Sequence, residues 1–192
     1  MKYLKKFNEN LNGTKGNLLD GLNTLMQNTH LVQDQVRHNL DGFLDGLDVN
    51  KFESKFGKIT KFLGAGVFGA VYQLDSVKIL KITFDFHEAP FLYEYCQLQK
   101  IDGLVKVDSV FKIKFGDTNA YLIVRDPIEV ITNRNEYQDE IRKAKDAMYN
   151  IDKKWRGTHR GNFGVQNGEV VLYDGFSKNA PVDETKIPFL EL

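Results

Sequence analysis

The spacing of apolar residues changes character once along this chain, near residue 50, and that change narrows the fold more than any other feature. Up to that point Leu18, Leu19, Leu22, Leu25 and Met26, then Leu31, Val36, Leu40, Phe43, Leu44 and Leu47, recur at three- and four-residue steps. This period belongs to amphipathic helices, two or three of them over residues 1–50. Gly13, Gly16, Gly42 and Gly46 weaken any long continuous helix there. Such a segment reads as a helical cap packed on the rest, or as an arm that docks a partner.

From residue 51 the apolar residues gather in short β-rich runs: 58–63, 70–74, 77–83, 104–114 and 120–124. Gly64, Gly66 and Gly69, then Asp75–Ser76, then Gly116–Asp117 separate them. Residues 86–99 interrupt the strands with one helix beginning near Pro90. A further helix spans 133–154, a glycine-rich polar loop runs from Trp155 to Gly164, and 168–174 reads as a strand after an Asn167–Gly168 turn. The order over 58–124 is three strands, one helix and two strands, an α+β pattern. The expected divisions are 1–50, 51–126 and 127–192.

Composition removes several functions. Lysine plus arginine and aspartate plus glutamate both number 26. A neutral balance argues against a general nucleic-acid coat or a polybasic membrane binder, while leaving room for a local basic cleft. The single cysteine, Cys96, can form neither an internal disulfide nor a cysteine zinc site. A reducing, cytoplasmic setting is therefore expected. No run approaches the ~18 apolar residues of a membrane span, and the basic N-terminus lacks the apolar stretch of a secretory signal.

Three features carry chemistry. The first is Gly64-Ala65-Gly66-Val67-Phe68-Gly69-Ala70-Val71, a G-x-G-x-x-G pattern followed by strand-forming rather than helix-forming residues. It reads as a strand–loop–strand flap whose backbone can approach phosphate oxygens because side chains are missing. The plain alternative is a tight hairpin. The second is Lys81, set between Leu80 and Ile82; Lys78 lies three residues earlier, on the other strand face. Glu94 on the next helix is a partner for the inward lysine, with Glu88 as competitor. The third is Asn162 in the polar loop and Asp174 ending a strand, a plausible oxygen pair for a hard cation. The alternative is an ordinary loop asparagine and a hairpin-end aspartate.

In this order the features resemble the eukaryotic-like protein kinase superfamily, over roughly residues 58–176, and within it the compact kinases of bacteria and phages. Gly64, Gly66, Gly69 and Val71 match the family's glycine flap in full. Lys81 matches its strand lysine and Glu94 its helix glutamate. Trp155-Arg156-Gly157 through Asn162 lies over the catalytic loop, and Asp174-Gly175-Phe176 over the metal-binding D-F-G, its last two residues out of pattern. The resemblance implies a two-lobed fold with a reduced C-terminal lobe, preceded by the helical segment. It implies ATP and Mg²⁺ as ligands. Gly64, Gly66 and Gly69 would cover the phosphates, Lys81 would hold the α/β phosphates, Glu94 would orient Lys81, and Asn162 and Asp174 would bind Mg²⁺.

Two departures shape the expected function. The catalytic aspartate, which accepts the substrate's hydroxyl proton, is replaced by Gly157. Only 18 residues follow Asp174, so the peptide-substrate platform is absent or much reduced. Asp152 and His159 are the weak candidates for a replacement base. Lys153, Lys154, Arg156 and Arg160 make the loop basic. The expected protein is a nucleotide-binding pseudokinase acting through a protein partner, with no membrane or specific nucleic-acid role. An active kinase or other ATP-dependent transferase with a non-standard base, and an interaction module with an empty cleft, are the alternatives.

Overall fold

A computed structural model describes residues 13–28, 30, 32–156 and 162–192. Gly157, His159 and Arg160 lie outside the described residues. Among those described, no helix is long and apolar enough to cross a membrane. The fold is mixed: helices, a five-stranded sheet and a three-stranded sheet. It divides into two compact units.

The first unit comprises residues up to Asp85, Phe111–Ile123 and Phe189–Leu192. Its helices are α1 (Thr14–Asn28), α2 (Gln33–Gly46) and α3 (Val49–Phe56). Its strands are β1 (Ile59–Ala65), β2 (Gly69–Leu74) and β3 (Ile79–Thr83), joined by parts of β4 (Val107–Phe115) and β5 (Thr118–Arg125). The strand order is β1-β2-β3-β5-β4, with β1–β2 and β2–β3 antiparallel. Helix α3 carries helical structure past residue 50. Asp48 caps its start by accepting from the Lys51 amide, and Gly57 ends it at φ 88° and ψ 173°, a positive-φ conformation open to glycine.

The N-terminal helices are part of the core of the first unit. Leu18, Leu22 and Leu25 of α1 are wholly buried, and α1 packs on β1 and β2. Gly21 explains how closely. A Cβ there would lie 2.2 Å from the Tyr72 hydroxyl, so the missing side chain lets the Tyr72 ring reach the helix backbone. The hydroxyl donates to the Leu18 carbonyl at 3.2 Å, and burial pushes its pKa well above the usual range. Asn17 and Asn28 donate from α1 to the carbonyls of Ile59 and Ala65, and Thr14 accepts from the Ile59 amide. These bonds occupy both ends of an edge strand that would otherwise recruit another chain. An aromatic cluster completes the core: Phe115 lies 4.6 Å from Phe43 and 5.2 Å from Phe84, centroid to centroid. The C-terminal tail docks here as well, the Leu190 amide donating to the Lys112 carbonyl at 2.8 Å.

The second unit comprises Phe86–Val110 and Val124–Pro188. The helix expected over 86–99 begins as α4 (Glu88–Phe91) and continues as a π-helix, Leu92–Leu98. Pro90 falls in the first turn, where its missing N–H costs nothing. Cys96 sits on this helix, buried, with its thiol pushed far above the ordinary range by burial. A 3₁₀ turn (Arg134–Tyr137) leads into α5 (Gln138–Ile151), whose Ile141, Ala144 and Met148 are buried. Helix α5 packs on β8. Strands β6 (Glu129–Val130), β7 (Phe163–Gln166) and β8 (Glu169–Leu172) form the antiparallel three-stranded sheet. Asn167 and Gly168 make its two-residue turn with φ of 53° and 82°, as their sequence predicts. Strands β6 and β7 were not expected. They are two and four residues long, too short to show a hydrophobic period.

Candidate functional site

The glycine pattern forms the β1–β2 hairpin. Gly66 N–H donates to Gly69 O at 2.9 Å across its tip. The Phe68 carbonyl accepts from the Phe84 amide at 2.8 Å and from the Thr83 hydroxyl at 3.4 Å, which ties the tip to the end of β3. The three glycines are not equivalent. A Cβ on Gly69 would lie 2.4 Å from the Ile82 carbonyl oxygen and 3.1 Å from the Thr83 Cα. Strand pairing therefore demands glycine at 69. At Gly64 and Gly66 a Cβ would meet nothing within 4 Å, and neither has a positive φ. The fold gives no reason for these two to lack a side chain.

Register then places the lysine. Gly64 pairs with Val71, and Val71 pairs with Lys81, so the three form one row across β1, β2 and β3. Residues directly opposite share a sheet face. The neighbouring row, Tyr72 with Leu80 and Ala70 with Ile82, is wholly buried on the opposite face. Val71 and Lys81 are half-buried. Flap glycine, valine and strand lysine thus lie on the face turned away from α1. Lys78 sits just before β3 and is also half-buried.

Glu94 lies on the π-helix of the second unit. Its carboxylate accepts from the Gln99 side chain at 2.9 Å and lies 4.0 Å from the Lys186 ammonium. Glu88 opens α4, and its charge acts on Arg125. Burial lowers the Arg125 pKa, with Glu88 and then Tyr173 opposing that shift. Lys81 and Glu94 belong to different units.

Asn162 and Asp174 are brought together. The Tyr173 amide donates to the Asn162 carbonyl at 2.8 Å. The Asn162 carboxamide lies over Gly175, where a Cβ would fall 2.0 Å from its nitrogen. Gly175 has φ 74° and donates its N–H to the Asp174 carboxylate at 2.7 Å. Both the contact and the dihedral require glycine at 175. Phe176, one place later, stacks on Phe91 of α4 at 4.6 Å. An exposed carboxylate and a neighbouring carboxamide oxygen suit a hard cation that takes most of its ligands from elsewhere. Among the described residues no group of three or more His, Cys, Asp or Glu is arranged to hold a metal.

Asp152, a weak candidate base, is engaged structurally. One carboxylate oxygen accepts from the Ser177 hydroxyl and the other from the Lys154 amide. These bonds, the Ser177 one first, hold its pKa below the usual carboxylate range. A general base works best with a pKa near the working pH, so this environment disfavours the role. The shift also fixes a pH dependence. Asp152 stabilises the fold above the pKa of an unfolded aspartate, and the contribution is lost as pH falls through the lower folded value. The difference in thermal stability between the native chain and Asp152→Asn should hold steady above about pH 5. It should shrink in acid, as read from melting curves between pH 7 and pH 2. His159, the other candidate, lies outside the described residues.

Two contributors gave no signal that sequence reasoning used. Trp155, the chain's one tryptophan, donates its indole N–H to the Gly175 carbonyl at 2.8 Å. Ser177, nearly buried, donates to Asp152 and accepts from the Asn179 amide. A lone tryptophan in a polar loop was a visible clue; nothing distinguished Ser177.

No protein-family model matches the chain, and no curated protein matches its sequence. Solved structures give weak likenesses. The PAN3 pseudokinase of Drosophila melanogaster is 12% identical with a TM-score of 0.36, over 62% of this chain and 41% of that one. A thermostable mutant aminoglycoside phosphotransferase, in a ternary complex with ADP and hygromycin B, is 15% identical with a TM-score of 0.36, over 68% of this chain and 46% of that one. The chain thus spans less than half of either protein. At these scores neither likeness carries an argument about this chain.

Proposed function

We propose that this chain is a minimal kinase-fold protein that binds ATP with Mg²⁺ and does not transfer phosphate efficiently. The observation that carries the reading is the pair Gly64 and Gly66. Both stand where a side chain would meet open space, and Gly64 lies in register with Val71 and Lys81. A bare backbone beside a lysine on one sheet face suits a polyphosphate, which needs close approach of amides and a cation. Gly64, Gly66 and Gly69 would cover the phosphates and Lys81 would hold them. Asn162 and Asp174 would hold Mg²⁺, which supplies charge neutralisation to the phosphate oxygens.

Impaired transfer follows from the residues near the loop. Gly157 supplies no proton acceptor, and Asp152 has both oxygens hydrogen-bonded and a depressed pKa. A chain that binds nucleotide without turning it over acts through another molecule, so a protein partner belongs to this reading. Calorimetric titration with Mg²⁺–ATP tests it. The native chain should bind, and Lys81→Ala should weaken binding by roughly 10-fold or more, about 1.4 kcal/mol. Absence of heat at millimolar ATP, or an unchanged affinity in Lys81→Ala, would overturn the assignment.

A further inference from the structure

The segment following Asp174 is pinned twice by residues 152–155, where the basic loop begins. Trp155 donates its indole N–H to the Gly175 carbonyl at 2.8 Å. Three residues earlier, Asp152 accepts from the Ser177 hydroxyl. The two pins span residues 152–155 on one side and 175–177 on the other. Between them sits Gly175, left-handed at φ 74°, with its N–H on the Asp174 carboxylate and the Asn162 carboxamide against its Cα. The Gly175 carbonyl belongs to the peptide plane shared with Phe176 and its N–H to the plane shared with Asp174, and the two planes meet at the Gly175 Cα, so a bond to the carbonyl anchors one plane and that Cα. The indole bond anchors the residue that both side chains assigned to the cation touch, Asp174 through the Gly175 N–H and Asn162 through the Gly175 Cα.

We infer that Trp155 is the positioning residue of the Asn162–Asp174 pair, clamping Gly175 so that the two side chains present their oxygens to one divalent cation, with Asp152–Ser177 as the second pin. This rests on the nucleotide reading above and deepens its cation half. Trp155 itself would touch neither metal nor nucleotide. Groups that orient metal ligands typically change metal affinity by about 10–100-fold when lost. Because the chain has a single tryptophan, its fluorescence reports directly on this clamp.

The experiment measures ATP affinity by calorimetry with and without Mg²⁺, in the native chain and in Trp155→Phe, which keeps an aromatic ring and removes the N–H. In parallel, the tryptophan emission of the native chain is followed as Mg²⁺ is added to the ATP-bound protein. The expected result is a Mg²⁺-dependent gain in affinity in the native chain, reduced by roughly 10-fold in Trp155→Phe. Affinity for ATP without Mg²⁺ should be unchanged, and native emission should shift on Mg²⁺ addition but not in Asp174→Ala. A merely structural role would lower the melting temperature of Trp155→Phe and leave the Mg²⁺ gain intact, which would overturn the inference while leaving the nucleotide reading standing. Native ATP binding indifferent to Mg²⁺ would likewise overturn it and remove only the cation half of that reading. No ATP binding at all would overturn both. If Trp155→Phe does not fold, Ser177→Ala breaks the other pin and is read in the same way: a reduced Mg²⁺ gain supports the clamp, and an intact one refutes it.

Discussion

Gly69→Ala is expected to destabilise the native fold by about 2 kcal/mol, while Gly64→Ala and Gly66→Ala stabilise it by a few tenths to about 1 kcal/mol. One hairpin thus carries opposite responses to the same substitution. At Gly69 the new methyl would lie 2.4 Å from the Ile82 carbonyl oxygen, a backbone atom held in the β2–β3 pairing. Only displacement of a strand relieves that overlap. At Gly64 and Gly66 the methyl meets nothing within 4 Å and the backbone is already in a region open to alanine. There the gain comes from the unfolded chain, which loses conformational freedom. Urea unfolding of the three variants measures this directly. If the proposed function holds, Gly64→Ala and Gly66→Ala also bind Mg²⁺–ATP more weakly, so stability and affinity move in opposite directions. That combination separates glycines kept for a ligand from a glycine kept for the fold. Equal affinity in all three variants, with the stability pattern as expected, would leave a plain hairpin.

Phe115→Ala is expected to cost about 3–5 kcal/mol, among the largest effects of any single substitution in the first unit. The ring is wholly buried and lies against Phe43 of α2 on one side and Phe84 on the other. Removing it leaves a cavity between a helix, the end of β4 and the residue that follows β3. Surrounding side chains cannot fill it without moving the backbone. The comparison is Phe189→Ala in the docked tail, where the side chain is half-exposed and the expected cost is below about 1 kcal/mol. Denaturant unfolding followed by circular dichroism would read both. A small loss in Phe115→Ala would mean that the N-terminal helices do not share a core with the sheet.

Much of the fold was legible because its signals are local. The apolar period of α1 and α2, the β-rich runs of β1 to β5 and the Asn167–Gly168 turn depend on neighbours within a few residues. What stayed hidden depends on partners far along the chain. Strand β6 has only two residues and exists because β7 lies beside it. The π-helical continuation at Leu92–Leu98 carries no sequence mark that a helix reading distinguishes from α-helix.

The candidate site divides along the same line. The chain's residues alone determined that a glycine-rich turn between strands, an apolar-flanked lysine, a loop asparagine and a strand-end aspartate occur in that order. Tertiary structure alone decided that Gly64, Val71 and Lys81 share a cross-strand row, because register is set by pairing between strands. It also separated the one flap glycine that packing demands from the two that packing does not explain. And it gave Asp152 and Trp155 their tasks, since a hydrogen bond across 20 or 25 residues of sequence leaves no trace in local pattern. Spacing reports on what a residue can do; only the atoms around it decide whether it is held in place to do it.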